Sequence, residues 1–277
     1  MAMHASSRCV AIYLAFSLLA LPAEAAKQPI KKVTLDPQAP AVDLFAAIEE
    51  GTVEATVIAK SSNEANLFVT NNSSSPLSVK MPQAVVAVQV LKQMFAPPGR
   101  NAGQGQGNNG PGQGGNMGQG QPIGGGMNGN MMGNGMQNNM QGMNGGNTIG
   151  FFSVPSHKTV QVPLKTVCLA HGKPDPRPRM KYKLVKLEDY TKDPALQETL
   201  KLVATSESDL QSLQAAVWHL TDKMSWKELR AKQIERLGGH EPLPYFSDSQ
   251  IEDAEALIDR VREKTKDMPR KVESAAR

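Results

Sequence analysis

Residues 99–150 of this chain hold twenty of its 24 glycines and seven of its methionines, and no charged side chain lies between Asn101 and Ser156. A stretch of Gly, Asn, Gln and Met buries too little apolar surface to offset the entropy of ordering it. Residues 99–147 are therefore expected to be disordered, and the fold must be built from the segments on either side. A loop absorbs such an insertion cheaply, since each doubling of its length costs only about 0.6 kcal/mol.

Both flanks read as strands. Val53, Ala55 and Val57 alternate with polar residues, Leu67 and Val69 continue the pattern, and Asn71-Asn72-Ser73-Ser74-Ser75-Pro76 makes a turn. Leu77, Val79 and Met81 alternate again, and residues 85–90 form a more continuous apolar run. Beyond the tract, residues 149–154, 159–164, 167–169 and 182–187 read likewise. Short strands at this spacing predict a mostly β plus α chain. Its body is an immunoglobulin-like β-sandwich over 51–98 and 148–187, interrupted by the low-complexity insertion. The N-terminal segment 26–50 holds a short helix over 42–49, stopped by Gly51.

Residues 188–277 change to a helical pattern. Asp193-Pro194 opens a first helix. Ser206-Glu207-Ser208-Asp209 resembles a capping box before a second helix, whose apolar face is Leu210, Leu213, Val217 and Leu220. Ser225 with Glu228 caps a third helix that is expected to run to Gly238-Gly239. Ser247 or Asp248 starts a fourth, with Ile251, Ala254, Ile258 and Val261 on one side.

The first 25 residues read as a cleavable signal peptide: a positive start to Arg8, an apolar run over 9–21, Pro22, then Ala23-Glu24-Ala25. The protein is thus expected to be periplasmic or extracellular, with no transmembrane segment in the mature chain. Only Cys168 remains after cleavage, so the exported domain has no internal disulfide. The net charge of +4 is too mild to demand a nucleic-acid partner.

Four phrases carry a family resemblance. They are the block Asp43-Leu44-Phe45-Ala46-Ala47-Ile48-Glu49-Glu50-Gly51, the strand-turn-strand NLFVTNNSSSPLSVKMP, the run from Lys165 through Cys168 and His171 to Pro176, and QAAVWHLTDKMSWKEL. Together they resemble an uncharacterised family of exported planctomycete-type proteins with a Gly/Met/Gln/Asn-rich insertion. The resemblance implies location and architecture, and it brings no activity with it.

Candidate chemistry is sparse. Met127, Met131, Met132, Met136, Met140 and Met143 are soft thioethers of the kind that bind copper(I). Cys168 and His171 form a C-x-x-H pair, which is half a zinc site or a thiolate beside an imidazolium; the alternative is a buried strand cysteine that shares the parity of Val162 and Leu164 and is shielded from alkylation. In the basic stretch 171–186, Lys173, Arg177, Arg179, Lys181, Lys183 and Lys186 face a single Asp175, and Pro174, Pro176 and Pro178 keep its first half extended. Such a stretch can dock on an anionic envelope polymer or an acidic partner. Its bland alternative is a solvated linker and a lysine-protected edge strand. Trp218 and Trp226 read as anchors between helices. No Ser-His-Asp order, phosphate loop, HExxH helix or carboxylate cluster appears.

The function expected on these grounds is that of an exported, non-catalytic cell-envelope protein, structural or interaction-forming, whose partner is an envelope protein or glycan. The alternatives are a copper(I)-handling protein using the methionine tract and a thiol-dependent enzyme or covalent binder using Cys168.

Overall fold

A computed structural model of the chain describes residues 28–90, 120–127, 150–205, 208–236 and 238–268. Residues 1–25, expected to be a signal peptide, and the tract 99–147 apart from 120–127, lie outside the described residues.

The chain is a mixed α/β protein. Its first half runs β1 (Ala41–Asp43), α1 (Leu44–Glu49), β2 (Val53–Ala59), β3 (Glu64–Asn71), β4 (Leu77–Lys80), β5 (Val85–Gln89) and β6 (Ile123–Met127). There follow β7 (Phe151–Val154), β8 (Thr159–Cys168), β9 (Tyr182–Lys186) and α2 (Leu187–Tyr190). Strands β2-β3-β8-β6-β5-β9 close into an antiparallel barrel. Strands β1, β4 and β7 make a separate sheet, with β1 parallel to β4 and β4 antiparallel to β7.

Register decides what fills the barrel, because directly paired residues share a face and the side-chain period is two. Val57 lies opposite Leu67 and Tyr182, Leu67 opposite Val162, Ala87 opposite Leu184, and Ile123 opposite Cys168. All of these are buried, so they form the interior layer. Their exposed or half-buried neighbours Glu54, Thr56, Phe68, Gln161 and Lys183 face outward.

Two expectations are corrected here. The pairing does not show the two stacked sheets of an immunoglobulin-like sandwich; six strands bond in a closed ring instead. The strand that makes the difference is β6, Ile-Gly-Gly-Gly-Met, which comes from within the tract expected to be disordered. It bonds to β5 on one side and β8 on the other. Three adjacent glycines show no alternation, which is why the strand was invisible to a periodicity argument. The glycines have a packing reason. A Cβ on Gly124 would meet Leu200 at 2.9 Å, one on Gly125 would run into the Lys165 carbonyl, and one on Gly126 into the Gln83 carbonyl.

Leu200 belongs to a helical layer laid over β6 and β8. It comprises α3 (Pro194–Thr205), α4 (Leu210–Thr221), α5 (Trp226–Ala231) and α6 (Asp248–Thr265). The Asp193 side chain accepts from the Ala195 N–H at 2.9 Å, and Asp209 caps α4 by accepting from Gln211 and Ser212. Residues 206–207 of the expected second capping box lie outside the described residues. Ser225/Glu228 and Ser247/Gln250 are reciprocal capping boxes for α5 and α6. Helix α5 is shorter than expected. Lys232 leaves it with extended backbone (φ −67°, ψ 131°), and β10 (Gln233–Ile234) pairs with β11 (Leu243–Pro244). Gly238 and Gly239, at φ +84° and +74°, lie in the loop between β10 and β11 and do not end a helix.

Ile251, Ala254, Leu257, Ile258 and Val261 of α6 are buried against the other helices. Glu198 ties α3 to α6: its carboxylate accepts from Lys201 at 2.7 Å and from Lys264 at 2.5 Å. Burial pushes this carboxyl pKa up, but the two ammonium groups outweigh it and the net shift is downward. Among the described residues no helix is long and apolar enough to cross a membrane.

Candidate functional site

Cys168 ends β8 on the barrel's interior face, the same face as Val162 and Leu164, and is 1 % exposed. Burial, with a smaller contribution from the charge of Asp175, pushes its thiol pKa from 9.0 up to about 12. A position like this supplies a protonated, shielded thiol, which is the opposite of an activated nucleophile. The thiol's alkylation at pH 8 is expected to be at least about 100-fold slower in the native protein than in denaturant. There is a linked effect on stability. The unfolded thiol ionises near pH 9 while the folded one keeps its proton to about pH 12, so this contribution is complete below pH 9 and is lost as pH rises between the two. Urea titrations at pH 8 and pH 10.5 check the sign: the wild type loses more stability on that step than Cys168→Ala does.

His171, three residues on, is engaged elsewhere. Its backbone N–H donates to Asp222 at 3.0 Å, and its Nε2 lies 2.9 Å from the Lys232 ammonium. An ammonium only donates, so Nε2 accepts and the ring is neutral. Burial and Lys232 both lower its pKa, and Asp222 offsets them in part. The ring meets Trp218 edge-on with centroids 4.8 Å apart. Lys232 stands over Trp218 and Tyr245 at 5.5 and 5.0 Å. Trp218 is 4 % exposed and touches Phe246 as well, so it anchors the β10–β11 ribbon onto α4. Trp226 is stacked on His219 with centroids 4.1 Å apart. Among the described residues no group of three or more His, Cys, Asp or Glu is gathered to hold a metal ion.

Of the methionines proposed as thioether ligands, Met127 ends β6, half-buried and opposite Leu164. It is therefore fixed in a strand and does not sit on a free-wrapping chain. Met131, Met132, Met136, Met140 and Met143 lie outside the described residues.

The basic stretch is where the structure adds most. Lys173, Arg177, Arg179, Lys181 and Lys183 are all exposed, and among the described residues none has an ion-pair partner. Lys186 differs, pairing with Glu49 at 2.8 Å. Strand alternation sends Tyr182 and Leu184 inward and Lys181 and Lys183 outward. Asp175, the local carboxylate, is occupied by the Gln121 amide at 3.1 Å. The same amide donates to the Lys173 carbonyl at 2.9 Å, and the Gln121 N–H donates to Pro174 at 3.1 Å. The Tyr182 hydroxyl closes the knot by donating to the Gln121 carbonyl at 3.2 Å. A turn from the Met180 N–H to the Arg177 carbonyl shapes the rest. The 173–175 loop before the cations is thus pinned by Gln121, a residue of the low-complexity tract that sequence reasoning had no means to single out, while the Arg177–Met180 turn and the β9 ladder hold the backbone that carries them.

Compared with models of known families, with curated proteins and with solved structures, the chain shows no match.

Proposed function

We propose that this chain is an exported, non-catalytic interaction module of the cell envelope that docks an anionic partner on the ridge formed by Arg177, Arg179, Lys181 and Lys183. The signal-like start and the resemblance to exported planctomycete-type proteins support the location. One observation carries the docking surface: Arg177, Arg179, Lys181 and Lys183 follow one another as exposed cations with no ion-pair partner among the described residues, along a segment held by the Arg177–Met180 turn and the β9 ladder. Holding like charges together costs Coulomb energy that an anionic partner would relieve. The helical layer covers the barrel over β6 and β8 and leaves the outer side of β9 and β2 uncovered.

The test is sedimentation of the mature chain with washed envelope fragments. Lys181→Glu/Lys183→Glu is expected to lose binding at least about tenfold, and wild-type binding to weaken with salt. Lys158→Glu/Lys227→Glu, which changes net charge equally at exposed sites elsewhere, should bind like wild type. Equal loss in both variants would reduce the ridge to a general charge effect and overturn the proposal.

A further inference from the structure

We infer that the segment received by the ridge is an acidic polypeptide with aliphatic side chains spaced between its carboxylates; this rests on the ridge being the docking surface. Register provides the argument. Gln89, Tyr182 and Val57 lie in one row across β5, β9 and β2. The next row therefore reads Val90, Lys181, Ile58, and the Val90 N–H donates to the Lys181 carbonyl at 2.8 Å, which confirms the alignment. Its side chains share the outward face, opposite in parity to buried Tyr182 and Val57. Val90 is 50 % exposed and Ile58 36 %, two of the few large apolar side chains left open. One cation thus stands between two open aliphatic side chains. Neighbouring strands are about 4.8 Å apart, so Val90 and Ile58 are roughly 10 Å apart, about three residues of an extended chain. Arg177 and Arg179 add guanidinium forks, which suit carboxylates.

The other anionic chemistries fit less well. A sugar polymer can pair its anionic groups with the cations but has no aliphatic side chains to set on Val90 and Ile58, and the aromatic within residues 173–183 on which a sugar ring could stack, Tyr182, points into the barrel. Phe68, half-buried on the outer face of β3, lies two strands from β9. A lipid surface calls for an apolar wedge that enters the acyl boundary. Val90 and Ile58 instead lie level with the lysines on a barrel wall.

The experiment uses the mature chain and four probes: a labelled alternating peptide with leucine at every third residue and glutamates between, which sets successive leucines about 9–10 Å apart in an extended chain, polyglutamate, heparin as a sulfated glycan, and phosphatidylglycerol vesicles. Variants are checked for native circular dichroism. The alternating peptide is expected to bind, and Lys181→Glu/Lys183→Glu to weaken it at least about tenfold. Val90→Ser/Ile58→Ser should weaken the alternating peptide several-fold and leave polyglutamate unchanged. Indifference of the alternating peptide to the serine variant overturns the aliphatic part of the inference. Ridge-dependent binding of heparin or vesicles without peptide binding overturns the polypeptide assignment and keeps the docking surface. No ridge-dependent binding by any probe overturns both.

Discussion

Gly125→Val should abolish cooperative unfolding. Gly125 lies on β6 opposite Val85 on one side and Thr166 on the other, facing the barrel interior. A single added Cβ would already overlap the Lys165 carbonyl, a backbone atom that cannot rotate away. Overpacking a core costs roughly 1–3 kcal/mol when side chains can give way. Here the ladder between β6 and β8 must open, and the cost approaches the whole stability of a domain this size, of order 5–15 kcal/mol. Gly51→Ala is the contrasting change, because a Cβ at Gly51 meets nothing within 4 Å and only the positive φ of +75° is strained. About 1 kcal/mol is expected there. Urea melts of the two variants separate a close-approach glycine from a turn glycine. A cooperative melt for Gly125→Val within 1 kcal/mol of wild type would show that β6 is dispensable.

Gln214→Leu is expected to cost roughly 2–5 kcal/mol although it keeps size and adds apolar surface. The pairing of β3 with β8 ends at Glu64 opposite Lys165, three residues before Cys168. Cys168 lies opposite Ile123 of β6, and the adjacent bond to that strand runs from the Leu169 N–H to the Pro122 carbonyl at 2.9 Å. The N–H and C=O of Cys168 therefore turn toward the side that β3 has left. The side-chain amide of Gln214, on α4, fills the place of the missing strand: its Oε1 accepts from the Cys168 N–H and its Nε2 donates to the Cys168 carbonyl, both at 2.8 Å. Leucine would orphan both groups in a buried site. Gln214→Glu keeps the acceptor but loses the donor and buries a charge, so it should be no better at neutral pH. Chemical denaturation midpoints decide this, and a leucine variant as stable as wild type would mean that the amide clamp is incidental.

These two residues mark what the sequence could and could not disclose. Alternation placed β2, β3, β4 and β8, and capping chemistry placed the starts of α3, α5 and α6, because those signals are local. The burial of Cys168 was also legible, through its shared parity with Val162 and Leu164. Barrel closure was not, since it depends on Ile123–Met127, whose glycines matter for what Leu200 and Lys165 require of them. Gln214 and Gln121 read as ordinary polar residues; their roles exist only once α4 meets the end of β8 and the tract meets the 173–175 loop. The basic stretch was visible as composition. Its lack of ion-pair partners among the described residues, and its row-mates Val90 and Ile58, needed the register.

The docking account is tested most directly by a lysine-labelling footprint of the chain from residue 26 onward, free and bound to washed envelope fragments. Acylation of Lys181 and Lys183 should fall at least about fivefold on binding, while Lys158 and Lys227 stay as reactive as in the free chain. Unchanged labelling of Lys181 and Lys183, with protection moved to the lysines of the helical layer, would contradict it.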